Sequence, residues 1–143
     1  MPAIVRSVLA VVTGLFLAGT IMVGIESINS SLFPLPAGVD PKDPEQLRAA
    51  LATMPGQAFI GVLVGWILAA LAGGWLAARL APKSPRGHAL AVTAALLIGA
   101  VVNMLKLPHP AWMWVLGVAG LAAAGLLAAR IEERRRARPT GGA

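Results

Sequence analysis

Four stretches of this chain are long, apolar and free of internal charge, and that pattern decides what the chain can fold into. They run over about 7–25, 58–78, 89–105 and 111–129. A membrane-spanning helix needs roughly 17–25 mostly apolar residues, and each stretch qualifies. None contains an internal Asp, Glu, Lys or Arg. One such charge at mid-bilayer costs about 2.5–3.5 kcal/mol even on the lenient insertion scale. The expected fold is therefore an all-α membrane protein: a bundle of four transmembrane helices forming one membrane domain over 1–143. Composition agrees, since 57% of residues are hydrophobic and 13% charged, about half the charged fraction of a soluble domain.

Lys and Arg set the orientation. Arg6, Arg79, Lys83, Arg86, Arg130, Arg134, Arg135, Arg136 and Arg138 flank one set of helix ends, whereas the other set has only Lys42, Arg48 and Lys106. The bias places both termini and the turn between the second and third spans in the cytoplasm. The first apolar stretch is expected to remain as an anchor, because no small-x-small cleavage site precedes polar sequence. The net charge of +6 then reads as topogenic. The basic tail, 130–143, is expected to extend the last helix by a turn or two before Pro139 and a flexible Gly141-Gly142. Arg134, Arg135 and Arg136 are expected to meet anionic lipid headgroups, and no nucleic acid need be invoked.

The outer loop, 26–57, divides in two. Ser30 to Pro36 contains two prolines and is expected to be extended or turned. Asp43-Pro44-Glu45-Gln46 then has the order of a helix start: Asp43 as N-cap, Pro44 at the first helical position, Gln46 completing a capping box. Leu47, Ala50, Leu51 and Met54 follow at helical spacing, and Pro55-Gly56 stops the run. This predicts a short amphipathic helix on the outer surface or capping the bundle. Asp40, Asp43 and Glu45 lack the turn glycine and further ligands of a calcium loop.

Helices in lipid associate through close packing of small residues. The first span has Ala10, Gly14 and Ala18 at four-residue spacing, and the third has Ala91, Ala95 and Gly99. The second has the longest ridge, Gly61, Gly65, Ala69, Gly73 and Ala77. These ridges are read as packing within one bundle, with a homo-oligomer interface as the sharper alternative. Trp75, Trp112 and Trp114 read as interfacial belt residues, and Trp66 sits deeper.

Two ridges lead to polar residues. The first span continues Ala18, Met22, Glu26, and the third continues Ala95, Gly99, Asn103. Both spans run outward, so Glu26 and Asn103 are expected at one membrane level on inward faces. Lys106 and His109 lie at or just above that level, as do Asn29 and Gln57. A polar residue facing a bundle interior is a candidate ligand or proton site. His88 lies at the opposite face, so the two histidines cannot share a metal. With no cysteine, no tyrosine and no Ser-His-acid or phosphate-loop pattern, no catalytic residue, metal or cofactor is assigned.

Three short motifs carry a resemblance: Leu32-Phe33-Pro34-Leu35-Pro36; Gly73-Gly74-Trp75 with Ala77-Ala78-Arg79; and Asn103 with Pro108-His109-Pro110-Ala111-Trp112. Together they resemble a group of small bacterial four-helix inner-membrane proteins with no known activity. The resemblance implies a bacterial inner-membrane location and nothing catalytic. Small multidrug transporters and small fluoride channels do not fit, since Glu26 closes its helix rather than lying within it, and Gly73-Gly74 with Arg79 is only a superficial match. The expected role is non-enzymatic: a structural, accessory or interaction component. The alternative is a small oligomeric transporter or channel working through the outer polar cluster.

Overall fold

The computed structural model describes residues 1–138. The tail residues 139–143, including Pro139 and the glycine pair, lie outside the described residues. Among the described residues five helices form: α1 (Ala3–Leu32), α2 (Pro44–Thr53), α3 (Gly56–Leu80), α4 (Pro85–Lys106) and α5 (Ala111–Ala137). Four of them, α1, α3, α4 and α5, are long and apolar enough to cross a membrane. Large apolar side chains such as Phe16, Ile98 and Val115 point away from the bundle, a surface that suits lipid rather than water. The chain is a multi-pass membrane bundle.

The order of contacts places α3 at the centre, touching α1, α4 and α5. Helix α1 packs along α3, meets α4 only briefly, and has no contact with α5. Small residues explain the α1–α3 approach. A Cβ added at Gly73 would lie 2.6 Å from the Gly14 carbonyl oxygen and 2.9 Å from Ala18 Cβ. One added at Gly14 would lie 2.5 Å from the Gly73 carbonyl oxygen. Ala10, Gly14 and Ala18 on α1 and Gly65, Ala69, Gly73 and Ala77 on α3 are all buried. Gly61, the first residue of the ridge, is covered by the Asn29 side chain, and Gly65 by Ile25. The α3 ridge is thus occupied by α1 of the same chain.

Glycines serve the other contacts too. Gly117 of α5 lies under the Trp66 ring, and Gly125 lies against Thr93 of α4. The Thr93 hydroxyl donates to the Ala89 carbonyl at 2.9 Å, so this buried polar group is satisfied within its own helix. Leu63, Trp66, Met104, Met113 and Leu121 fill the space between α3, α4 and α5.

Helix α1 differs from expectation at its end. It continues past Ile25 and Glu26 to Leu32, through part of the segment expected to be extended. Two causes act together. The hydroxyls of Ser27, Ser30 and Ser31 donate to the carbonyls of Val23, Glu26 and Ser27 at 2.8–2.9 Å, so the serines remain satisfied inside the helix. Pro34 restricts only the residue before it, Phe33, and the helix stops there. Thirty residues make a rod of about 45 Å, longer than a hydrocarbon core of about 30 Å.

The third span also differs. Ala91, Ala95 and Gly99 are exposed, and nothing lies within 4 Å of a Cβ placed on Gly99. The buried face of α4 is the adjacent row: Ala89, Val92, Thr93, Ala100 and Met104. Both rows have helical spacing and small residues, so spacing alone does not choose between them.

At the end where α3 stops, α5 runs on to Ala137 and locks the bundle. Glu132 is fully buried. It accepts two hydrogen bonds from Arg135, at 2.6 and 2.7 Å, and one from Arg136 Nε at 2.9 Å. Arg136 Nη2 donates onward to the carbonyls of Ala78 (2.7 Å) and Ala81 (2.9 Å). These carbonyls lack intrahelical donors at the α3 C-terminus, and a cation there also suits the helix dipole. All three tail arginines are exposed, but Arg135 is bonded to Glu132, and Arg136 to Glu132 and the α3 C-terminus.

Candidate functional site

Where α1 and α4 part company, the bundle leaves a cleft. Val92 of α4 sits close to Gly14 of α1, with 3.1 Å from its side chain to a Cβ at that glycine. Beyond this contact the two helices are separated by a cavity of about 320 Å³. Met22, Ile25 and Glu26 of α1 form one wall, and Ala95, Gly99 and Asn103 of α4 form the other. Val62, Gly65 and Trp66 of α3, with Ala100 and Leu121, make the floor. The cleft exists because α4 turns its exposed small-residue row toward α1 without closing on it.

Glu26 and Asn103 line this one cavity. Asn103 is half-buried and Glu26 is exposed. Among the described residues, the ion pairs are those of Glu132 with Arg135 and Arg136, which leaves the Glu26 carboxylate without a cationic partner.

Lys106 and His109 lie elsewhere. They line a second, shallower hollow with Arg48, Ala52, Met104 and Trp114, so the four candidate residues divide between two places. The His109 ring is half-buried, with its centroid 5.5 Å from Phe59 at 65° and 6.2 Å from Trp66 at 39°. Its Nδ1 donates to the Leu107 carbonyl at 2.9 Å. A carbonyl can only accept, so Nδ1 is the donor in this bond. The aromatic packing and this local bond hold the ring in place at the α4–α5 turn. His88, at the other end of α4, bonds the Ser84 carbonyl at 3.0 Å.

Helix α2 brings Arg48, a residue that spacing alone did not single out as part of a site. Asp43 accepts from the backbone N–H of Glu45 (2.9 Å) and Gln46 (3.3 Å), and Gln46 Nε2 donates to its other oxygen at 2.8 Å. Gln46 Oε1 accepts from the Asp40 N–H at 3.0 Å, so the reciprocal bond reaches further back than in an ordinary capping box. Hydrogen bonds, first from the Gln46 backbone, hold the Asp43 carboxyl below its ordinary value of 3.8. The helix so anchored places Arg48 over the end of α4, where its Nε donates to the Lys106 carbonyl at 2.7 Å. Lys106 and Arg48 thus form a small cationic group in the second hollow. Asn103 lies three residues before Lys106, one turn along the same helix surface.

Asn29, one turn past Glu26, donates from Nδ2 to the Ala58 carbonyl at 3.0 Å and so ties α1 to the start of α3. Trp66 and Leu121 enter the site as its floor, a role that hydropathy does not mark, because it depends on which helices diverge. Among the described residues, no three His, Asp or Glu side chains gather as a metal-binding group. The arrangement offers binding chemistry: an apolar wedge with a carboxylate and an amide lining it, and two cations in a separate hollow at the end of α4. No family model, curated protein or solved structure matches this chain.

Proposed function

We propose that this chain is a non-enzymatic accessory protein of a bacterial inner membrane, acting by binding, with the α1–α4 cleft as its binding site. Both termini and the basic α3–α4 turn face the cytoplasm in this reading, which follows from the Lys and Arg bias. One observation carries the functional part. The other small-residue contacts described above are sealed by a neighbouring helix, whereas the Ala95–Gly99 row and the Glu26 carboxylate face an unfilled cleft. A cavity of this kind with a few polar groups is the default site of a bundle. The same geometry argues against a pore through a single bundle, because the wedge closes where Val92 meets Gly14.

The test fills the cleft. Gly99→Leu projects a side chain into open space, so the fold is retained. Native mass spectrometry of the full chain extracted in native-lipid discs is expected to find a bound lipid or partner on wild type that Gly99→Leu loses. Equal retention by both proteins would overturn the reading. Orientation is checked separately. The chain has no cysteine, so Ser31→Cys and Ser84→Cys each introduce a single thiol. An impermeant maleimide applied to intact spheroplasts should label the first and spare the second.

A further inference from the structure

Resting on the assignment of the cleft as the binding site, we propose that its occupant is one phospholipid with a primary-amine headgroup. One acyl chain lies in the wedge, the ammonium sits at Glu26 and Asn103, and the phosphate sits at Lys106 and Arg48.

Shape favours a chain over a helix. A helix with its side chains is about 10–12 Å across along its whole length. This wedge narrows to the contact of Val92 with Gly14. Its volume of about 320 Å³ lies at the lower limit of small-ligand sites, about 300–1,000 Å³. Bulk lipid surrounds α1 and α4, so a lipid chain needs no separate route of entry.

The distribution of polarity favours an amphiphile. Met22, Ile25, Trp66 and Leu121 make the body of the cleft apolar, and its polar side chains are those of Glu26 and Asn103, toward the last turns of α1 and α4. A molecule that fits has a long apolar part and one polar end.

Charge selects the headgroup. The Glu26 carboxylate has no cationic partner among the described residues, and a carboxylate accepts hydrogen bonds but cannot donate them. A primary ammonium offers three donors, enough for both Glu26 oxygens and the Asn103 amide oxygen. A quaternary ammonium offers none, and a glycerol headgroup brings no positive charge. The phosphate needs cations next to that point. Lys106 lines the second hollow, yet it is one helical turn from Asn103 on α4, a spacing that puts Cβ atoms about 5–6 Å apart. Arg48 uses its Nε on the Lys106 carbonyl and keeps its terminal N–H donors for an anion. The short linker between amine and phosphate suits neighbouring positions on one helix face.

The experiment uses the full chain in nanodiscs made from equal parts of ethanolamine-, choline- and glycerol-headed phospholipids with identical chains. Native mass spectrometry then reads which lipid stays bound. Wild type is expected to retain the ethanolamine lipid about tenfold over the others, the worth of one charge-assisted hydrogen bond. Glu26→Gln should erase that preference while still holding lipid. Lys106→Gln should weaken retention of all three lipids without changing their order, and Gly99→Leu should abolish retention. Equal retention of the three lipids by wild type, a protein partner in their place, or an undiminished preference in Glu26→Gln overturns the lipid assignment and leaves the cleft standing. Unchanged lipid retention by Gly99→Leu overturns the cleft itself.

Discussion

Replacing Gly73 by alanine adds one methyl group where the backbones of α1 and α3 approach each other. Its Cβ would stand 2.6 Å from the Gly14 carbonyl oxygen, whereas ordinary contact begins at 3.4 Å. The obstacle is backbone, which cannot swing aside as a side chain can, so the helices must separate by about 0.8 Å, the difference between those distances. A radial gap of 0.5–1 Å forfeits about a quarter to a half of each dispersion contact. The loss reaches the flanking small residues, Ala10, Ala18, Ala69 and Ala77, together. Overpacking of this kind costs about 1–3 kcal/mol, and a clash with backbone belongs in the upper half of that range. The better helix propensity of alanine returns about 0.8–1 kcal/mol. The expected net destabilisation is therefore about 1–2 kcal/mol. Gly99→Ala is the matched control, since its Cβ meets nothing within 4 Å; it should be neutral or slightly stabilising. The assay is reversible unfolding in mixed micelles of mild detergent and dodecyl sulfate, followed by tryptophan fluorescence. Equal stability of the two variants would refute the argument that α1 docks through this ridge.

Two further outcomes follow from the ends of the bundle. Arg136→Ala removes the donor that caps Ala78 and Ala81 and should lower stability by about 2–3 kcal/mol, with Arg136→Lys recovering less than half because an ammonium lacks the planar fork; wild-type stability of Arg136→Ala in the same assay would contradict the cap. For α2, the Asp43 carboxyl is held below its ordinary value of 3.8 by its hydrogen bonds in the folded chain. Because the folded value is depressed, the cap contributes fully above 3.8 and is lost as pH falls below it. Hydrogen-exchange protection of the Glu45 and Gln46 amides, corrected for intrinsic rate, should therefore fall on acidification below that value and stay level above it.

Much of the architecture was legible in the residues. Four uncharged apolar stretches dictate four spanning helices, because the cost of burying charge in lipid leaves few alternatives. Asp43-Pro44 marked the start of α2 for reasons of local hydrogen bonding that need no tertiary context. What was not legible depended on helices meeting. The Ala91–Gly99 row and the buried Ala89–Val92–Ala100 row of α4 look equally suited to packing, and only the positions of α3 and α5 decide which is covered. The end of α1 was obscured by Pro34 and Pro36, whose influence stops at Phe33 while the serines before it stay helical. Glu26 and Asn103 were paired by counting turns on two parallel helices. His109 was grouped with them by membrane level alone, yet its ring turns toward Phe59 and Trp66. Arg48 was unmarked because its partner, the Lys106 carbonyl, belongs to the backbone 58 residues away.

If lipid occupies the cleft between α1 and α4, Trp66 on its floor can report that directly. With Trp75, Trp112 and Trp114 changed to Phe, Trp66 becomes the sole tryptophan, buried to 5% exposure within the protein. In bilayers of lipids brominated along the acyl chain, a chain seated in the cleft should quench its fluorescence strongly despite that burial. Gly99→Leu should restore the emission. A Trp66 signal indifferent to brominated lipid, or quenched equally with the cleft filled, would contradict the account.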